Sequence, residues 1–297
     1  MFKKTILFPV ISMMLLSSAP SSSASAQSLY SDVNEQKYSW AMESILFMTD
    51  NDVLKGYSDG TFKPEATVTK AEFTVMLHRL FDKYRPNVAP LFYEPKVTGY
   101  QDVPKNHWAY KEISELYNSS AVSGGGISQD SSTGKYTFKP EARLTRLKLT
   151  SMLYQLFAED FDKGANPDDP DKELYQRLSK FKDIPLKKFN TQTAMDQYMD
   201  TERAKASNRW NTYVPGDELS PAIFYTYPNG SISLIGDFTF LPVYAIAAMD
   251  SQGIITADSR GYYRPLAPVT RAELATILDR VYLLFEKKGV LQKYSNK

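Results

Sequence analysis

Lys70, Arg146 and Arg271 are the residues whose type and setting could do chemistry. Each follows a threonine (Thr69, Thr145, Thr270), and each stands six residues after a proline (Pro64, Pro140, Pro265). Behind them run three matching apolar stripes: Phe73, Met76, Leu77, Leu80 and Phe81; Leu149, Met152, Leu153, Leu156 and Phe157; Leu274, Ile277, Leu278, Val281 and Tyr282. That spacing is one face of an amphipathic helix. Each threonine is therefore an N-cap, accepting from N–H groups of the first turn. Glu72 and Glu273 complete capping boxes, whereas Lys148 in the middle copy does not. The basic residue falls at the first helical position, where the macrodipole is already positive and a cation is mildly unfavourable. Two readings are open: a solvated charge or a bridge to a nearby carboxylate, and a cation facing an anion beside free helix N–H groups.

A second helix must precede each block. Trp40-Ala41 with Ile45 and Met48, and Trp108-Ala109 with Ile113 and Leu116, open such helices, and tryptophan to glycine (Gly56, Gly124) is 16 residues in both copies. The third copy keeps Ile246 and Met249 but has Leu241 and Ala257 at the tryptophan and glycine positions. Asp32 and Asp102 stand upstream of the first two helices. Asp183, in Phe181-Lys182-Asp183-Ile184-Pro185, matches them but is separated from its helix by about 55 residues. These aspartates either cap and salt-bridge, or accept from sugar hydroxyls and position the basic residue. The tryptophans are either core anchors or platforms for the apolar face of a sugar. Gly56, Gly60, Gly124 and Gly261 sit in the inter-helix loops, where a missing Cβ permits a turn or close backbone approach.

The aspartate-valine starts, the tryptophan-alanine helices, Gly56-Tyr57-Ser58-Asp59-Gly60-Thr61-Phe62-Lys63-Pro64 and Thr270-Arg271-Ala272-Glu273 together resemble three S-layer homology (SLH) modules. The resemblance covers about 29–84, 100–158 and, split, 181–185 with 240–286. It implies a mainly α fold, three helix-loop-helix repeats in a pseudo-threefold bundle, with ligand grooves between modules. It also implies a non-catalytic protein anchored to the cell surface by secondary cell wall polysaccharide, typically carrying pyruvate ketals. Under it Asp32, Trp40, Gly56, Gly60, Lys70, Asp102, Trp108, Gly124, Arg146, Asp183, Gly261 and Arg271 are the candidate polysaccharide-binding residues. A guanidinium grips a carboxylate bidentately, whereas Lys70 offers a point charge.

The remaining segments bound the rest. Lys3 and Lys4, an apolar run to Leu16 and Ala24-Ser25-Ala26 read as a signal peptide, residues 1–26. The expected division is then module one at 27–88, module two at 97–163, a linker and the start of module three at 164–185, an insertion at 186–240 and the remainder of module three at 241–290. Within the insertion, 191–209 reads as helical. The β-prone runs Ala222 to Thr226 and Ser231 to Ile235 flank Pro228-Asn229-Gly230 as a hairpin. That hairpin either covers a face of the bundle or recognises a partner protein, the alternative reading being a degenerate scaffold that assembles through 186–240. The acidic run Asn166 to Asp171 reads as a solvated linker rather than a calcium loop.

With 35 basic and 34 acidic residues there is no cationic excess of the kind that drives nucleic-acid binding. No stretch reaches the roughly 20 apolar residues of a membrane span. The absence of cysteine removes disulfides and thiolate chemistry. The only histidines, His78 and His107, have no zinc spacing or triad partner, so neither a metal nor another cofactor is expected.

Overall fold

The computed structural model describes residues 30–84, 99–117, 128–130, 132–161, 170–207, 221–235 and 240–297. The signal peptide, Gly124 and residues 166–169 of the acidic run lie outside these. The helices are α1 (Glu35–Asp50), α2 (Lys70–Leu80), α3 (Tyr110–Tyr117), α4 (Arg146–Phe157), α5 (Pro170–Leu178), α6 (Gln192–Ser207), α7 (Phe240–Ser251) and α8 (Arg271–Lys287). Strands β1 (Ser128–Gln129) and β2 (Tyr136–Thr137) form a short antiparallel pair. Strands β3 (Leu186–Phe189), β4 (Ala222–Thr226) and β5 (Ile232–Ile235) form a small mixed sheet in the order β3-β4-β5. The protein is thus helix-rich with one three-stranded sheet. No helix among the described residues is long and apolar enough to cross a membrane.

The caps form as the residues dictate. Thr69 and Thr270 accept from Glu72 N and Glu273 N within complete capping boxes. Thr145 accepts from Lys148 N with no return bond. The stripes behind them are buried almost without exception. At the far end of the bundle Phe81, Phe157 and Phe285 meet at centroid separations of 5.1 to 5.7 Å. Tyr294, from the turn after a short 3-10 helix (Leu291–Lys293), closes this cluster, its ring 5.2 Å from Phe157 and 5.0 Å from Phe285.

Helix pairing crosses copy boundaries. The first helix of each copy packs on the second helix of the copy before it: α3 on α2, α7 on α4, and α1 on α8. An amphipathic helix pair that buries its stripe against a different copy cannot shed that copy without exposing both faces.

The insertion departs from expectation in two places. The hairpin is present, with Phe224 opposite Leu234 and Gly230 at φ +84 in its turn. A third strand, β3, joins it in parallel register, Leu186 opposite Ala222 and Phe189 opposite Tyr225. A four-residue strand of two lysines between two apolar residues carries too weak an alternation to be read beforehand. The linker is also not uniformly solvated. Helix α5 buries Leu174 and Leu178, and Asp171 accepts from Leu234 N (2.9 Å) and Tyr244 Oη (3.1 Å), tying sheet to helix α7. Phe224 meets Tyr175 edge-on at 5.1 Å, so the hairpin covers part of the helical body.

Phe157 meets Phe81 and Tyr84 of copy one, Phe161 of its own copy, Phe285 of copy three and Tyr294 of the C-terminal segment. Its replacement by alanine is expected to cost about 3–5 kcal/mol, the range for large cavities in close-packed cores. Urea unfolding followed by circular dichroism measures this; a loss under about 1 kcal/mol would mean the three helix ends are not packed as described.

Candidate functional site

The loop before each basic residue is held from another copy. Val68 N donates to Val269 O at 3.0 Å, Leu144 N to Val68 O at 2.9 Å, and Val269 N to Leu144 O at 2.8 Å, so the bonds close on themselves. The first-turn amides extend the pattern. Lys70 and Ala71 donate to Ala142 and Pro140, Arg146 and Leu147 to Ala267 and Pro265, Arg271 and Ala272 to Ala66 and Pro64. The N–H groups left over at each helix start are thus satisfied by carbonyls of the following copy.

The basic side chains follow the same direction. Arg271 Nε donates to Phe62 O (2.8 Å) and Nη2 to Lys55 O (2.9 Å). Arg146 Nε donates to Tyr263 O (2.8 Å) and Nη2 to Thr256 O (3.0 Å). Lys70 Nζ donates to Phe138 O (2.8 Å) and lies 3.9 Å from the Phe138 ring centroid. The solvated-charge reading describes none of them, and the carboxylate-bridge reading holds only for Arg146, through Glu273 at 3.8 Å. Lys70 and Arg271 are only 3% and 6% exposed, and all three cations reach into the loop of the next copy.

The aspartates complete the arrangement. Asp32 accepts from Phe62 N (2.7 Å) and Lys63 N (2.8 Å), Asp102 from Phe138 N (2.8 Å) and Lys139 N (2.6 Å), Asp183 from Tyr263 N (2.8 Å) and Arg264 N (2.7 Å). In each case the second amide belongs to a residue in left-handed conformation: Lys63, Lys139 and Arg264 have φ of 55, 57 and 57. The first amide belongs to the residue whose carbonyl receives the cation. Asp183, far from its helix in sequence, occupies the same place as the other two. The aspartates therefore neither cap the first helix nor salt-bridge; they fix the strained turn that presents a carbonyl to the cation.

The three interfaces differ chemically. Between copies three and one, the Arg271 guanidinium carbon lies 5.1 Å from the Tyr57 ring and 4.7 Å from Phe62, and Nη1 has no hydrogen bond among the described residues. Tyr57 is 40% exposed, with Lys63 Nζ 3.9 Å from its ring. Between copies two and three, Arg146 Nη1 lies 3.8 Å from Glu273 Oε1. There Asp258 replaces Tyr57: Asp258 N donates to Tyr262 O as Tyr57 N does to Thr61 O. Amides of Tyr262 and Arg260, aided by the Arg264 and Arg260 guanidiniums, hold the Asp258 carboxyl down at about 2. Between copies one and two, Lys148 stands where the others have glutamate.

The other sequence candidates are placed as follows. Gly60 and Gly261 have φ +78 and +87, as a tight turn requires. Gly56 lies under the Tyr30 ring, where a Cβ would stand 2.1 Å from a ring carbon. Trp40 and Trp108 are 52% and 59% exposed, so the core-anchor reading is overturned; Ala41 and Ala109 beside them are the residues that pack inward. Tyr57 was not singled out from the sequence, although its place in Gly56-Tyr57-Ser58-Asp59-Gly60 was available as the signal. His78 Nε2 pairs with Glu115 at 2.6 Å and His107 Nε2 with Glu141 at 3.6 Å, in each case with no nucleophile in the pair.

The family model for the S-layer homology domain matches residues 29–74 and 243–275. This chain carries S-layer homology modules. The model leaves 100–158 unmatched; that copy supplies one third of the backbone bonds between loops described above. A cellulosome-anchoring protein of Acetivibrio thermocellus is 34% identical over 89 residues, 29% of this chain and 18% of that protein. An endoglucanase of a Bacillus species is 31% identical over 128 residues, 43% of this chain and 12% of that protein. S-layer protein EA1 of Bacillus anthracis is 26% identical over 119 residues, 40% of this chain and 12% of that protein. The SLH chain thus spans less than a fifth of each of these relatives.

Asp183→Ala strips two charge-assisted bonds from the turn that receives Arg146 and is expected to cost about 2–4 kcal/mol. Lys63→Gly, at a left-handed position, is expected to change stability by less than about 1 kcal/mol, while Lys63→Val loses about 1–2 kcal/mol. Thermal melts of the three variants check this; equal behaviour of Lys63→Gly and Lys63→Val would contradict the strained-turn account.

Proposed function

We propose that this protein is a non-catalytic anchor at the cell surface, binding pyruvylated secondary cell wall polysaccharide in the clefts between three SLH modules in pseudo-threefold arrangement. The observation that carries this reading is Arg271: a nearly buried guanidinium with one nitrogen uncommitted, next to an exposed tyrosine ring. A pyruvyl carboxylate suits the free guanidinium edge, and the apolar face of its sugar suits Tyr57. Because Phe62 and Lys55 hold the other edge, the cation is preorganised and little side-chain entropy is lost on binding. The pseudo-threefold arrangement is supported by the closed cycle of backbone bonds and by the crossed helix pairs.

The relatives support the non-catalytic reading by their diversity. An anchoring protein, an endoglucanase and an S-layer protein each match part of this chain over 12–18% of their own length, and their names describe different roles. The cleft between copies one and three is then the principal carboxylate site. At the Arg146 cleft, Glu273 and Asp258 compete with any incoming anion. Trp40 and Trp108 add exposed stacking surfaces on the first two modules. The other reading, an assembly scaffold using 186–240, is favoured by β3, which has no second neighbouring strand among the described residues and could accept a partner strand.

Co-sedimentation of residues 27–297 with purified walls, before and after chemical removal of the secondary polysaccharide, tests the proposal. Binding is expected only with the polysaccharide present. Tyr57→Ala, at an exposed ring, is expected to weaken retention about fivefold or more while leaving the melt unchanged. Arg271→Ala is unsuited to the purpose because it also uncovers two loop carbonyls. Equal retention on stripped walls would discard the anchor in favour of the scaffold.

A further inference from the structure

The end of α8 remote from Arg271 borders a cavity of about 520 Å³. Among the residues lining it are Tyr282 and Glu286 of α8, Gly289 in the turn after it, Gln292 and Lys297 of the C-terminal segment, and Lys83, just past α2. Glu286 stands fifteen residues after Arg271, roughly 22 Å along the helix, so the cavity is separate from the clefts between modules. Opposite charges line it without joining. The residues three and four positions from Glu286 are Tyr282, Leu283, Gly289 and Val290, so the helix offers its carboxylate no cation. That carboxylate makes no hydrogen bond or ion pair among the described residues. It stands in the last turn of α8, where the macrodipole is negative and an acid is mildly unfavourable. Burial and then the Glu286 carboxylate push the Tyr282 phenol up, as an unneutralised charge near it requires. On the cationic side, Lys83 Nζ donates to Gln292 O at 3.2 Å and pairs with no carboxylate among the described residues. Lys297 Nζ likewise donates to a carbonyl, Asn51 O, at 2.6 Å.

We propose that this cavity binds a short zwitterionic peptide, its free ammonium held by Glu286 and its free carboxylate by Lys83. A ligand of one charge satisfies one side and leaves the other bare, whereas a ligand carrying both neutralises Glu286 and Lys83 together. The ammonium gains twice, from the carboxylate and from the negative end of α8. Lys83 has N–H groups to spare beyond its single bond to Gln292 O, so it meets a carboxylate without giving up that contact. The volume falls within the range of small-molecule sites, about 300–1,000 Å³, and admits two or three residues of peptide. The Gln292 side-chain amide, also in the lining, is suited to the peptide's own N–H and C=O groups. Such a ligand spans copy three, the C-terminal segment and the residue after α2 of copy one, so its binding stabilises the folded chain by mass action. The site goes beyond the anchor reading and does not depend on it.

The test is amide NMR on residues 27–297 at pH 7, titrated with trialanine, with N-acetyl-trialanine, which lacks the ammonium, and with trialanine amide, which lacks the carboxylate. Trialanine is expected to shift the Gly289 backbone and Gln292 side-chain signals in a saturable way. Each blocked peptide is expected to bind about threefold to fivefold more weakly, as the loss of one partly exposed ion pair implies. Glu286→Gln is expected to abolish the preference for the free ammonium and keep that for the carboxylate; Lys83→Gln is expected to do the opposite. Both substitutions lie on exposed side chains, and an unchanged circular dichroism spectrum confirms the fold. Absence of saturable shifts, equal binding of the blocked peptides, or unaltered preferences in the two variants would overturn the site. Wall co-sedimentation is expected to be the same for both variants as for the parent, so loss of peptide binding leaves the anchor reading standing. Peptide binding in a chain that fails to bind walls would keep the cavity site and remove the anchor.

Discussion

The structure depends on a cycle of backbone bonds in which Val68, Leu144 and Val269 each donate to one neighbour and accept from the other. All three residues are fully buried, so an unpaired group there would bear its whole desolvation cost. In this cycle no copy satisfies its own loop, since each amide donates to a carbonyl of another copy, 76 to 201 residues away in sequence. The copies are consequently one cooperative body, as the crossed helix packing also requires.

The cations extend this logic from amides to side chains. A helix start is a poor place for a positive charge, yet Lys70, Arg146 and Arg271 occupy it because the carbonyl they reach is fixed in advance. The aspartate holds an amide, the amide's residue presents its carbonyl, and the carbonyl receives the cation. Fixing the turn at Lys63, Lys139 and Arg264 in left-handed conformation has a local cost, which the two charge-assisted bonds from Asp32, Asp102 or Asp183 offset. The same residues thus hold the fold together and leave, at Arg271, one guanidinium nitrogen with no hydrogen bond among the described residues.

Much of this was legible because it is written locally. Thr69, Thr145 and Thr270 declare helix starts, the missing box at Lys148 is plain from one residue, and Asn229-Gly230 announces the hairpin. Asp183 could be matched to Asp32 and Asp102 by its neighbours, although 56 residues separate it from its helix. What stayed illegible is long-range. Which carbonyl Arg146 would meet depends on Tyr263, 117 residues on. The outward turn of Trp40 and Trp108 depends on alanines beside them taking the inward face, a choice that apolar periodicity alone does not make. Strand β3 exists because β4 offers it an edge, not because Leu186 to Phe189 alternate.

The framework and the chemistry are carried by different positions, and this separates what can vary from what cannot. Thr, Asp and the loop carbonyls repeat in all three copies. The positions that only border the relay do not: Tyr57 becomes Asp258, and Glu72 and Glu273 become Lys148. The first of these changes adds a charge and the second reverses one, while the backbone bonds of the cations stay intact. One scaffold therefore presents an aromatic-flanked guanidinium, a self-neutralised guanidinium and a buried lysine at equivalent places. Three copies of one structural unit need not mean three copies of one site, since the bonds that make the copies alike leave the residues bordering each cation unconstrained.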